Sequence, residues 1–280
     1  MDPAAVELPE VRGPGAFGGS WDRFRRLLWR MALTDFTLRY HGSVLGYLWT
    51  LLNPLLLFAV LYVAFTQILG FGNRVEDYAS LLLFNILLFT VFAESTSRAL
   101  SSLVTRETLV RKVEFPRLVI PLSVVLVSLI SFAFSLVVVI GFFLASGVPI
   151  RATWLLVPIP VLIVVIFTVG MSLLLSALYV RFRDVSSVWN AVSRASFYAS
   201  PVLYPIEFFP DDWKFLLFIN PLAPALAQAR IWLIDPSAPS YGDVMGGDIY
   251  YLGPGLILVA ICALGAWAFI RRAPRVAEEL

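Results

Sequence analysis

Charge is what this sequence has least of. Of its 280 residues only 14% are charged, while 59% are hydrophobic and the mean hydropathy is +0.84. Soluble domains carry about 25% charged residues, and a surface this poor in charge does not stay dispersed in water. A water-soluble globular protein, a disordered chain and a nucleic-acid binder are excluded, which leaves an integral membrane protein. One cysteine (Cys262) and one histidine (His41) exclude a disulfide framework and a metal site of several such ligands. No Gly-x-x-x-x-Gly-Lys-Ser/Thr loop occurs, so the chain has no phosphate-cradling nucleotide site of its own. Neither His-Glu-x-x-His nor a boundary cluster of Asp, Glu and His is present, so the expectation is no enzyme and no bound cofactor or metal. Residues 1–19 are rich in Pro and Gly and lack a basic segment followed by an apolar one, so they read as a flexible tail without a secretory signal.

What is present is a series of uncharged runs. A helix crossing about 30 Å of hydrocarbon needs about 20 apolar residues. The runs predict six spans at about 44–70, 78–98, 118–146, 153–180, 187–205 and 249–270, the fifth interrupted by Arg194. The apolar stretch from Phe215 to Ala229 contains Asn220-Pro221 and Ala223-Pro224. It is too short and broken to span, and reads as a re-entrant or interfacial hairpin over about 207–233.

Six spans put both ends on one side, and basic residues decide which. The N-terminal segment, the loop after span 2, the loop after span 4 with the start of span 5, and the tail hold seventeen Lys and Arg residues. The other side holds Arg74, Arg151, Lys214 and Arg230. Both termini are therefore expected in the cytoplasm, with Glu207, Asp211, Asp212, Asp235, Asp243 and Asp248 forming an acidic outer cap.

Residues 20–36 read as an amphipathic helix. Trp21, Phe24, Leu28 and Met31 share one face, and Arg23, Arg26 and Arg30 recur about 200° away. Such a helix lies in the headgroup plane; the alternative is a mere orientation signal. In the loop after span 2, Leu109, Val110 and Val113 sit among mixed charges and end at Phe115-Pro116. That composition suits either a small docking surface or a solvated loop. Glu94 and Arg98 are placed to pair on one helix face. Arg194 either snorkels to the interface or meets an anionic head group in a water-filled lumen, and Arg39 is a second candidate for that contact.

Four motifs resemble the permease subunits of polysaccharide ABC exporters, those of O-antigen, capsule and teichoic acid. Arg39, Tyr40, Ser43, Leu45, Gly46, Trp49 and Pro54 meet the family's R-Y-x-x-S-x-L-G-x-x-W-x-x-x-x-P pattern. Leu109 to Arg117 is similar to L-[IV]-x-K-x-x-F-P-R. Arg183-Asp184-Val185 with Ser200-Pro-Val-Leu-Tyr-Pro205, and Asn220-Pro221-Leu222 with Arg230, follow in order. Near Arg106 the family often has Asn, which puts one docking contact in question.

The resemblance implies an all-α membrane protein with six transmembrane helices in a single domain over 37–280. It adds a coupling helix at about 101–115, carrying Arg106, Glu107, Leu109, Arg111, Lys112, Phe115 and Arg117. It also implies an outer gate hairpin between spans 5 and 6, with Pro201, Pro205, Asn220 and Pro221 as gate residues. The chain would form a homodimer and bind two copies of a separate ATPase subunit, which holds ATP and Mg. The substrate would be a lipid-linked polysaccharide, moved outward across the bacterial plasma membrane. Spans 1 and 5 line the conduit in the family, so two helical stripes are the expected channel wall. They are Tyr47, Leu51, Pro54, Phe58, Tyr62 and Phe65 in span 1, and Trp189, Ser193, Phe197, Pro201 and Tyr204 in span 5. Aromatic faces stack on sugars without fixing one hydrogen-bond pattern; ordinary packing or lipid contact is the alternative. Rival functions are a permease for drugs or small lipids, a membrane transferase acting on lipid-linked sugars, and a channel.

Overall fold

The structure is a computed structural model that describes residues 20–40, 46, 48–112 and 115–273. The expected tail at 1–19 and Tyr47 lie outside the described residues. The described residues form eleven α-helices and short 3-10 or π turns, with no strand among them. In chain order these are α1 (Trp21–Tyr40), α2 (Leu48–Val63, continued by a π-helical turn Ala64–Ile68), α3 (Tyr78–Thr105), α4 (Glu107–Lys112), α5 (Val119–Ala145) and α6 (Pro158–Arg181). There follow α7 (Val185–Ala199), α8 (Lys214–Phe218), α9 (Leu222–Leu233), α10 (Tyr241–Met245) and α11 (Leu252–Arg272).

Five helical stretches are long and apolar enough to cross a bilayer: Leu51–Ile68, Tyr78–Thr105, Val119–Ala145, Ala152–Arg181 and Asp248–Arg272. The expected fifth span is shorter than its sequence promised. α7 has 15 residues, a rise of about 22 Å against the 30 Å of hydrocarbon. The cause is local: Ser200 precedes Pro201, which disfavours the α conformation, and its backbone is extended (φ −94°, ψ 154°).

The chain then continues as buried non-helical backbone, whose polar groups find side-chain partners. Asn85 Nδ2 donates to the Pro201 carbonyl at 3.1 Å, and the Tyr78 hydroxyl to that of Leu203 at 2.6 Å. Asn220 Nδ2 donates to Ser200 Oγ at 2.7 Å. Irregular backbone at membrane depth is tolerated only where protein satisfies it in this way. α8 and α9 meet at a 98° bend across Asn220-Pro221.

α3 is the central helix, with 19 of its 28 residues buried; α2 buries few and presents most of its surface outward. α6 packs between α3 and α11. The α6–α11 crossing depends on the lack of side chains. A Cβ at Gly265 would lie 2.2 Å from the Gly170 carbonyl oxygen, and one at Gly170 would lie 2.9 Å from Cys262 Cα. Small residues are what let membrane helices approach so closely. Gly265→Leu is therefore expected to destabilise the protein by about 3 kcal/mol, the upper range for overpacking. The check is a lowered thermal midpoint in detergent, with Gly265→Ala falling in between.

α1 runs four residues beyond its expected end. Phe24, Ala32 and Phe36 are buried, with Phe36 stacked on Phe134 of α5 at 5.9 Å. Arg23, Arg26 and Arg30 are exposed on the opposite face. Phe24, Ala32 and Phe36 thus pack on protein, while Trp21, Trp29 and Leu33 remain exposed.

Candidate functional site

Phe24 lies in a buried cluster with Leu103, Val110, Phe115, Val119 and Phe269. This cluster gathers α1, the end of α3, α4, the start of α5 and the end of α11 at one end of the molecule. The helix expected at 101–115 is divided there: residues 101–105 belong to α3, the helix breaks at Arg106 (φ −109°, ψ 29°), and α4 spans only six residues. The break sorts the candidate coupling residues. Leu109 and Arg111 are exposed, and Arg111 pairs with Glu107 at 3.0 Å. Phe115 and Arg117 are buried. Arg106 turns inward, its Nη2 2.5 Å from Asp35 of α1. It ties α1 to the start of α4 and offers no outward docking contact. The Lys112 side chain lies outside the description.

Beside this tie, α1 also pairs with α3. Arg39 forms an ion pair with Glu94, whose Oε1 also accepts from Arg98 Nε at 3.2 Å, as the i, i+4 spacing predicts. Two cavities of about 330 and 410 Å³ adjoin these residues and share Arg39 and Arg98 in their walls. Arg194 belongs elsewhere: it is exposed on α7, with Nε donating to its own helix at the Asn190 carbonyl, 3.1 Å.

The described aromatic residues of the two stripes expected to wall the channel make ring or hydrogen-bond contacts within this chain. Trp189 is 7% exposed and its indole donates to Thr96 Oγ1 at 3.2 Å. Phe197 meets Phe89 edge-on at 5.2 Å, and Tyr204 tilts against Phe209 at 5.6 Å. In α2, Phe58 stacks on Tyr62 at 5.6 Å and meets Phe142 of α5 at 5.7 Å. Phe65 lies 5.8 Å from Phe71. The part of α7 left outside includes a polar stripe at helical spacing, Ser187, Asn190, Arg194 and Tyr198, beside the exposed apolar residues Val188, Ala191, Val192 and Ala195.

At the opposite end, Pro201, Pro205 and Pro221 are buried, and Asn220 Oδ1 accepts from the Leu222 N–H at 3.0 Å. Arg230 is 7% exposed. Its Nη1 lies 2.7 and 2.9 Å from the Glu207 carboxylate oxygens, and its Nη2 3.4 Å from Asp235. The last carbonyls of α9 have no intrahelical donors, and three side chains from the turn before α6 supply them. Thr153 Oγ1 donates to Trp232 at 2.6 Å, Trp154 Nε1 to Leu233 at 3.0 Å, and Arg151 to Ile234. α10 carries a capping box in which the Asp243 N–H donates to Ser240 Oγ at 3.2 Å and the Ser240 N–H to the Asp243 carboxylate at 2.8 Å; the Ser240 hydroxyl donates to that carboxylate too. These bonds hold the Asp243 carboxyl below its usual range. Burial pushes the Tyr241 hydroxyl up to about 12, with Tyr251 adding to the shift.

Among the described residues no three His, Cys, Asp or Glu gather to hold a metal. Sequence reading missed the Asp35–Arg106 tie and the Arg230–Glu207 pair, because separations of 71 and 23 residues leave no local pattern. Asn85 did leave a signal: it is a lone amide within the uncharged run of span 2.

A family model described as "ABC-2 type transporter" matches residues 24–233. The chain is 32% identical over 197 residues to an "O-antigen export system permease protein RfbA" of Klebsiella pneumoniae, a match covering 70% of this chain and 75% of that one. A second protein of the same description and organism is 30% identical over the same length. One of Myxococcus xanthus is 32% identical over 227 residues, covering 80% of this chain and 86% of its own.

Proposed function

Because the chain belongs to the ABC-2 type transporter family, as a permease of the O-antigen export group, we propose that it is the transmembrane half of an ATP-driven exporter of lipid-linked polysaccharide. Two copies form the conduit in the plasma membrane, with both termini cytoplasmic. Each copy seats a separate ATPase subunit on α4, and that subunit binds ATP and Mg²⁺ and performs the hydrolysis. α7 and the buried run after it together make the fifth of six crossings. The 98° bend between α8 and α9 forms an outer gate, with Pro201, Pro205, Asn220 and Pro221 at its base.

The observation that carries this reading is the outward stripe of α7. Ser187, Asn190, Arg194 and Tyr198 leave an amide and a guanidinium exposed along a helix set in an apolar chain. Facing lipid, an Arg at mid-depth costs about 2.5–3.5 kcal/mol or more, so such residues line hydrated paths. A permease for small apolar lipids would present a dry face here. In this reading the stripe belongs to the channel wall, and Arg194 meets the passing polymer or its head group from that wall. Asn190→Leu with Arg194→Leu is expected to cut surface polysaccharide at least tenfold while the ATPase subunit still co-purifies. Normal export in that variant would remove the stripe from the conduit.

A further inference from the structure

Two buried polar atoms are left over after the bonds around them are assigned. Asn85 of α3 is 2% exposed and Arg230 of α9 is 7% exposed. Asn85 Nδ2 donates to the Pro201 carbonyl at 3.1 Å. That bond fixes which end of the amide is which, because a carbonyl accepts and does not donate. Oδ1 is then the opposite end, and it has no donor among the described residues. Arg230 spends Nη1 on Glu207 and Nη2 on Asp235. Its Nε, also buried, has no acceptor among the described residues. Neither atom can turn toward solvent without breaking the bonds its side chain already makes.

Both residues line one cavity of about 10 Å³, which Leu81, Pro201, Pro205 and Leu226 help to enclose. All four of these are buried. The volume admits one water and nothing larger. The two leftover atoms also dictate the chemistry of an occupant, which must donate to an amide oxygen and accept from a guanidinium N–H. A metal cation cannot accept, and beside Arg230 it would meet like charge. A halide cannot donate, and Glu207 and Asp235 against one Arg already leave a surplus of negative charge. A water does both. Buried waters make about three hydrogen bonds, and the Pro201 carbonyl, with two lone pairs, is placed to be the third partner.

We infer that a single structural water occupies this cavity, accepting from Arg230 Nε and donating to Asn85 Oδ1. It joins the central helix α3 to α9 across the non-helical run that begins at Pro201. Direct apolar packing at this place would strand two buried polar atoms, whereas the water satisfies both. The site does not depend on what the chain exports. In the exporter reading it is a seat for the outer gate, so that the hairpin rests on α3 through a water.

The test is a cryo-EM map of the permease with its ATPase subunit in nanodiscs, at a resolution that shows ordered water. One peak is expected within about 2.7–3.2 Å of both Asn85 Oδ1 and Arg230 Nε. Asn85→Leu, similar in size but without the amide, should abolish the peak. In that variant the amide hydrogens of α9 should exchange at least tenfold faster, while those of α5 keep their rate. A dry cavity in the wild-type map, or a peak that touches just one of the two atoms, would overturn the site. So would a peak that strengthens when chloride is replaced by bromide, since that assigns an anion. Unchanged exchange in α9 of the variant would overturn the seat. If Asn85→Leu does not fold, the wild-type map decides alone. A chain that proved not to be an exporter would keep the peak, so the two readings fail separately.

Discussion

Replacing Arg230 with Ala should destabilise the protein by about 3–5 kcal/mol, the range for removing one partner of a buried ion pair. The guanidinium is 7% exposed and lies between Glu207 and Asp235. Asp235 is itself 7% exposed and accepts the Ser237 N–H at 2.9 Å and hydroxyl at 2.6 Å, so it cannot swing out to water without breaking the turn it shapes. Truncation therefore strands negative charge at the end of α9. The expected readout is a lowered thermal midpoint of the detergent-solubilised protein. Arg230→Lys should recover only part of it, because an ammonium is a point charge that cannot reach both carboxylates as a fork does. Combining Arg230→Met with Glu207→Leu and Asp235→Asn should recover most of it, since apolar replacement of a buried ionic group is often neutral. A shift below about 1 kcal/mol for Arg230→Ala, the scale of exposed pairs, would show that the triad is solvated.

The spans that were legible are those where length and lack of charge suffice. The long uncharged runs that became α3, α5, α6 and α11 read directly, because a helix needs no partner to satisfy its backbone in lipid. α7 was overestimated because hydrophobicity continues past Ser200 through Val202 and Leu203, whereas the proline that ends the helix acts on a single residue. Helix faces were legible as groupings but not as directions. The spacing of Trp189, Ser193 and Phe197 correctly put them on one side, yet periodicity does not say what covers that side. In a soluble helix aromatic residues go inward by default. In this chain Thr96 and Phe89 cover part of that side. The same limit applied to the loop before Pro116, where one apolar and basic motif proved to hold residues of opposite orientation.

That opposition separates two kinds of loss at the coupling segment, and they should be measured together. Leu109 and Arg111 face out from α4, whereas Phe115 is 8% exposed within the cluster of Phe24, Leu103 and Phe269. If α4 seats the ATPase subunit, Leu109→Asp with Arg111→Glu places two negative charges where an apolar knob and a cation stood. Losses at an interface centre reach about 2–4 kcal/mol per residue, so affinity should fall at least a hundredfold. The ATPase should then no longer co-purify and export should cease, while the permease's thermal midpoint changes little, because Arg111 is exposed and Leu109 lies outside the buried cluster. Phe115→Ala should behave in the opposite order: a cavity among buried aromatics costs about 3–5 kcal/mol of the permease's own stability, and loss of the ATPase follows from the disturbed end of α3. Retained ATPase binding in the Leu109/Arg111 variant would move the docking surface off α4. Exposed arginines elsewhere at that end, among them Arg181, Arg183 and Arg271, would then be the next to test. Each lies within about 5 Å of an aromatic ring, at 5.4, 5.1 and 5.3 Å, so stacking already engages them, which favours α4 as the first contact.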